Sequence, residues 1–339
     1  MENKFKQSLK LNLLIIFFIL LIILFINLIL QRINQNNLNF INDIEKKIFI
    51  IEKSFSNIYF DRIFKNNLAQ FSSGECYLLG SSQHVSLDKN LIKEKNCNNV
   101  VNLSLQGATL EDFFINIYFL LQNNKSIKKV LIGIEPPLFV LDYDPMKRWS
   151  IYKKYFFDSI KMTNINFPNR LFIKNFSDLF SLSFVLEKIK IFNLRNSFSK
   201  KFVLLETKKV KRPYFNSLGI LQNPNQMSID HDLDMAGFTD DFELYHLSQT
   251  KDIFDKLIDY LLKKNIEVEF IILPYRQDVF SQKSWSKDIN DTFFFLKSLK
   301  EKYNIKILGS FEPKSSSCSY ENFIDRSHPK LICIESILR

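Results

Sequence analysis

Glycine is scarce in this chain, with 7 in 339 residues, and no Gly-rich phosphate loop is present. The usual sequence sign of a nucleotide site is therefore missing. Cysteine is also sparse: Cys76, Cys97, Cys318 and Cys333, without C-x-x-C or Cys/His spacing. No metal site and no cofactor are expected on that basis. The net charge is +10, yet no basic run is interleaved with exposed aromatics, so no nucleic-acid partner is expected. The charge permits contact with anionic lipid or polymer. There are no internal repeats. What is abundant is phenylalanine, at 35, with lysine, asparagine and isoleucine. This reads as a biased genome composition rather than an adaptation.

Residues 11–30 are apolar except for Asn12 and Asn27. At about 1.5 Å per residue such a helix spans a ~30 Å hydrocarbon core. The run is apolar on every face, unlike a soluble amphipathic helix. Lys4, Lys6 and Lys10 precede it and only Arg32 follows closely. The positive-inside rule then puts residues 1–10 in the cytoplasm and the remainder outside the cytoplasmic membrane. No small-x-small cleavage site follows, which favours an uncleaved anchor over a removed signal peptide. On the outer side disulfides can persist. Four cysteines allow three pairings, and free thiols are the alternative. Cys76 and Cys97 precede successive candidate strands, so they can lie side by side.

Beyond the anchor, residues 31–70 read as a stalk and an amphipathic helix, with Ile41, Ile44, Ile48, Ile51 and Phe55 at helical spacing. Residues 71–339 then read as one α/β domain. Strands are expected at 76–79, 99–105, 129–134, 267–273 and 305–308, and helices at 109–121, 250–264 and 288–303. Thr109 with Asp112 three residues on resembles a capping box. Buried-looking strands alternating with helices predict a parallel, flavodoxin-like sheet flanked by helices. The rhythm breaks at about 142–246, read as an insertion over the sheet edge or site mouth, with local helices near 177–192. Its basic run, Lys208-Lys209-Val210-Lys211-Arg212-Pro213, is a solvated loop or a contact to anionic glycan or lipid head groups. Asp230, His231, Asp232 and Asp234 fit no cation-loop pattern.

In an open parallel sheet, sites form beyond the carboxyl ends of the strands. Four blocks fall there: Gly80-Ser81-Ser82-Gln83-His84, Gln106-Gly107, Gly133-Ile134-Glu135-Pro136, and Asp325-Arg326-Ser327-His328. An Asp three residues before a His can accept the Nδ1 proton and leave Nε2 to deprotonate a serine. The same tetrapeptide also fits a turn cap beside a surface histidine. Gly107 lets a backbone N–H approach an oxyanion closely. Gln83, His84, Tyr275 and Arg276 are further candidates for the pocket. A surface His84, a structural Tyr275 and a solvated Arg276 remain open.

This order of blocks resembles the SGNH/GDSL hydrolase superfamily, over residues 75–140 and 250–330. The resemblance implies Ser82 as nucleophile, the N–H groups of Ser82 and Gly107 as oxyanion site, and Asp325 and His328 as the closing pair. Ser81 stands where the family has Asp, and Glu135 stands where it has an oxyanion-binding Asn. An ionised Glu135 would repel the oxyanion, so another donor replaces it, it points away, or activity is altered. The Gly-Ser-Ser block on an N-terminal anchor resembles membrane-tethered branches that modify cell-envelope polymers beside a multi-spanning acyltransferase. The resemblance implies an esterase or O-acyltransferase acting on an envelope polysaccharide or other acylated glycan through an acyl-serine. A scaffold or glycan-binding subunit without turnover is the other expectation.

Overall fold

The computed structural model describes residues 14, 17–26, 49–50, 58–92, 96–123, 126–139, 149, 152–167, 214–215, 218, 220–222, 247–313 and 316–338. The chain divides into two compact units: Met1–Phe40 with Asn166–Phe202, and Ile41–Ile165 with Val203–Arg339. In the first unit, residues 17–26 are helical. Much of the expected anchor at 11–30 lies outside the described residues. Among the described residues, no helix is long and apolar enough to cross a membrane.

The second unit is built on five parallel strands: β1 (Cys76–Leu79), β2 (Val100–Asn102), β3 (Lys129–Ile134), β4 (Glu267–Ile272) and β5 (Lys306–Gly309). Their spatial order is β2-β1-β3-β4-β5, which is the flavodoxin-like order. All residues of β1, β2 and β3 are buried. That burial explains their continuous apolar runs, since a parallel sheet is covered on both faces. In register, Leu79 of β1 pairs with Ile132, and Gly133 of β3 pairs with Ile271.

Among the described residues, seven helices accompany the strands: α1 (Ile58–Phe71), α2 (Leu110–Asn123), α3 (Lys153–Thr163), α4 (Leu247–Lys263), α5 (Gln277–Phe280), α6 (Lys283–Tyr303) and α7 (Leu331–Ile337). Phenylalanine joins them. Phe114 meets Phe156 edge-on between α2 and α3, and Phe139 meets Phe254 and Phe295 between the turn after β3, α4 and α6. The shortage of glycine shows at helix ends. Asn164, Asn265 and Asn304 take the positive φ angles of 53°, 58° and 55° that glycine usually supplies there.

Two disulfides form, Cys76–Cys97 and Cys318–Cys333. The first pairs residues at the entrances to β1 and β2, as their adjacency allows. The residues of the amphipathic repeat, Ile41, Ile44, Ile48, Ile51 and Phe55, lie outside the described residues. Phe49–Ile50 between them is a short strand paired antiparallel with Tyr214–Phe215, and a helix of the 31–70 segment is α1, further along. Most of the 142–246 segment, including 177–192, the basic run and Asp230–Asp234, lies outside the described residues. Of its described parts, α3 packs on α2, and Leu218 meets the sheet edge: the Asn102 N–H of β2 donates to the Leu218 carbonyl at 2.7 Å.

Candidate active site

The first block leaves β1 and turns at once. Ser81 is extended, and residues Ser82–His84 form a single 3₁₀ turn closed by the His84 N–H on the Ser81 carbonyl. The turn separates the two serines. Ser81 is buried and its Oγ has no hydrogen-bond partner. Ser82 Oγ lies 2.8 Å from His328 Nε2.

His328 arrives on a tight loop between Phe323 and Pro329, which bridge to each other. Its Nδ1 lies 2.7 Å from Asp325 Oδ2 and 2.9 Å from Oδ1. A carboxylate only accepts, so the proton sits on Nδ1 and Nε2 is the acceptor for the Ser82 hydroxyl. Asp325 Oδ1 also takes the N–H groups of Ser327 and His328, at 2.7 and 2.9 Å. Burial alone would raise the Asp325 pKa. The hydrogen bond and charge of His328, with those two amides, outweigh it and hold the carboxyl well below its ordinary range. Burial would lower the His328 pKa, but Asp325 and, more weakly, Glu135 raise it above the usual histidine value.

The loop is fastened from both sides. Gln83 Nε2 donates to the Ser327 carbonyl at 2.6 Å, tying the Ser82–His84 turn to the His328 loop. The Arg276 N–H donates to the Arg326 carbonyl at 3.0 Å. The Arg276 guanidinium pairs with Asp278 and lies 4.0 Å over the Tyr320 ring. Of the two readings left open for Tyr275, pocket residue or structural residue, its position fits the second: it is 2% exposed and packed against Trp285 and Phe311. Its N–H donates to the Phe311 carbonyl at 3.0 Å, which holds the chain beyond β4 against the segment that follows β5.

On the opposite side, Leu103 and Leu105 donate to the carbonyls of Leu78 and Gly80. These bonds continue the pairing of β2 with β1 up to Gln106-Gly107. Gly107 has φ 55°, a conformation few side chains tolerate. Glu135 follows β3 with its Oε1 buried and unpartnered. Burial pushes its pKa up to about 7, the Asp325 charge adds to this, and His328 and the Gln83 backbone N–H oppose it.

His84 is not at the surface. It is 0% exposed, and its ring lies against Gly133, where an added Cβ would stand 2.4 Å from Cδ2. Burial lowers its pKa to about 3, against a pull from the Ile271 backbone. The ring is therefore neutral at pH 7 and supplies no charge to Glu135, whose Oε1 is 3.9 Å from Nδ1.

Four features are not legible in the sequence reading above: the Gln83 tie, the seat of His84 on Gly133, a buried Arg62 on the Gln106-Gly107 loop, and Asn102 beneath the Ser82–His84 turn. Only Asn102 left a local sign, as a polar residue within an apolar strand. Its Nδ2 donates to the carbonyls of His84 and Leu87. Among the described residues, no group of three His, Cys, Asp or Glu side chains is placed to hold a metal ion.

No family model and no curated protein matches the chain. Among solved structures, it is similar to a protein from Streptococcus pneumonia described as a candidate platelet activating factor. The identity is 8%, over 84% of this chain and 91% of that one, with a TM-score of 0.40. A likeness this distant carries no argument about function.

Proposed function

We propose that this chain is an SGNH-type serine esterase or O-acyltransferase working through an acyl-Ser82 intermediate. One observation carries the reading: the hydrogen-bonded chain Ser82 Oγ–His328 Nε2 at 2.8 Å and His328 Nδ1–Asp325 Oδ2 at 2.7 Å. Ser82 Oγ bonds to the acyl carbon while His328 Nε2 takes its proton. The oxyanion rests on the N–H groups of Ser82 and Gly107. Collapse expels the leaving alcohol, which receives the proton from His328. Water or a sugar hydroxyl, deprotonated by His328, then releases the acyl group.

The setting is part of the proposal. The apolar run at 11–30 with lysines before it supports a single anchor, N-terminus inside. The two disulfides favour an oxidising compartment for the domain. The substrate is then an envelope polysaccharide or other acylated glycan, handled beside a multi-spanning acyltransferase. Glu135 favours a second reading, a scaffold without turnover, because an anion there opposes the oxyanion. The test is deletion with measurement of polymer O-acylation. Loss supports transfer, and a rise supports esterase action. Undiminished complementation by Ser82→Ala supports the scaffold. Unchanged acylation of every envelope polymer contradicts both enzymatic forms.

A further inference from the structure

The Gln106-Gly107 loop is held from below by a charged side chain with no part in the serine relay. Arg62, on α1, is 0% exposed, and its partner Asp112, on α2, is 1% exposed. Arg62 Nε donates to Asp112 Oδ1 at 2.9 Å and Nη2 to Oδ2 at 2.6 Å, a two-pronged pair. The same guanidinium donates from Nη1 to the Gln106 carbonyl at 3.2 Å and from Nη2 to the Gly107 carbonyl at 3.0 Å. Asp112 Oδ2 also accepts the Thr109 N–H at 3.0 Å, which closes the capping box at the start of α2. One buried cation thus joins α1, the first turn of α2 and two successive carbonyls.

The consequence lies in the peptide unit. A trans peptide is planar, with its C=O and its N–H directed oppositely, and no cis bond occurs among the described residues. The Gln106 carbonyl and the Gly107 N–H belong to the same unit. Fixing that carbonyl on Arg62 fixes the N–H toward the other side of the loop. The left-handed conformation of Gly107 lets the next carbonyl return to the same guanidinium. Lysine cannot reproduce this arrangement, because it lacks the planar fork that serves carboxylate and carbonyls together.

We propose that Arg62 is a positioning residue for the oxyanion side of the site, holding the Gln106 and Gly107 carbonyls so that the Gly107 N–H faces the developing oxyanion. The proposal rests on the serine-hydrolase reading above. It makes Asp112 the group that keeps the guanidinium in place and charge-balanced in the interior.

The test uses the full chain and two variants. Arg62→Lys keeps the charge. The paired variant Arg62→Met/Asp112→Leu removes both buried charges, a change such pairs often tolerate, and serves if Arg62→Lys does not fold. Amide exchange is followed at 105–109, along with the fluorophosphonate labelling rate of Ser82 and kcat and KM for an aryl acetate. Expected are faster exchange confined to 105–109 and labelling and kcat lower by about 10- to 100-fold, with KM held within about twofold. Unchanged exchange at 105–109 overturns the proposal. So does raised KM with kcat unchanged, the pattern of lost uniform binding. Failure of wild-type Ser82 to label would overturn the serine-hydrolase reading instead, and exchange at 105–109 would still decide whether Arg62 holds the loop.

Discussion

Gly133→Ala is the sharpest probe of how the site is seated. A Cβ at 133 would lie 2.4 Å from His84 Cδ2 and 2.5 Å from Cγ and Nε2. The ring has little room to retreat, since His84 is 0% exposed and also sits close to Gly80, where a Cβ would lie 2.8 Å from His84 Cβ and Cγ. Overpacking of this kind costs about 1–3 kcal/mol. At about 2–4 °C per kcal/mol for a domain of this size, Tm falls by roughly 2–12 °C. His84 shares its 3₁₀ turn with Ser82, so relief by moving the ring also pulls Ser82 Oγ from His328. A displacement of about 1 Å costs on the order of 10²-fold in rate. Removing the ring should remove the clash. His84→Ala alone leaves a cavity, but the added methyl in the double variant partly fills it. The coupling between the two sites should reach about 1 kcal/mol or more in favour of the double variant. Urea unfolding of the four proteins at constant m measures it. Additive costs, or Gly133→Ala with unchanged stability, would refute the packing argument.

Glu135→Gln should reshape the pH profile of kcat/KM. His328 must be neutral to act, and its pKa is raised partly by Glu135. Glu135, with a pKa of about 7, is neutral below that pH and an anion above it. Glutamine should shift the acid limb to lower pH and abolish the decline near pH 7, and an unchanged profile would contradict this. Asp325→Asn should lower kcat by about 10⁴-fold through the wrong imidazole tautomer, with the fold intact by circular dichroism. Replacing both Cys318 and Cys333 with serine opens the loop that carries Asp325 and His328. It should cost about 3 kcal/mol by urea unfolding and slow Ser82 acylation.

Local signals in the chain carry far in the sheet and fade where contacts are distant. β1 and β3 end where Gly80 and the prolines after Glu135 interrupt apolar runs, so their bounds are readable. β2 was expected to extend to 105. Its hydrogen bonds do continue, through Leu103 and Leu105, although the strand proper ends at Asn102. The strand Phe49–Ile50 was unreadable, because two residues leave no period and the partner Tyr214–Phe215 lies far along the chain. The Gly-Ser-Ser turn and the Asp-x-x-His loop could each be read locally. Their meeting required the strand order. Arg62 and Asp112 were unreadable as a pair, since neither residue carries a local sign of the other. Burial of His84 depends on the absent side chain of Gly133, on β3, about fifty residues away.

The most direct test of the central claim is to locate a fluorophosphonate adduct by peptide mass spectrometry on the folded chain and its Ser81→Ala, Ser82→Ala and His328→Ala variants. The account predicts an adduct on Ser82 in wild type and Ser81→Ala, and none in Ser82→Ala or His328→Ala. An adduct on Ser81, or labelling of Ser82 that survives His328→Ala undiminished, would contradict it.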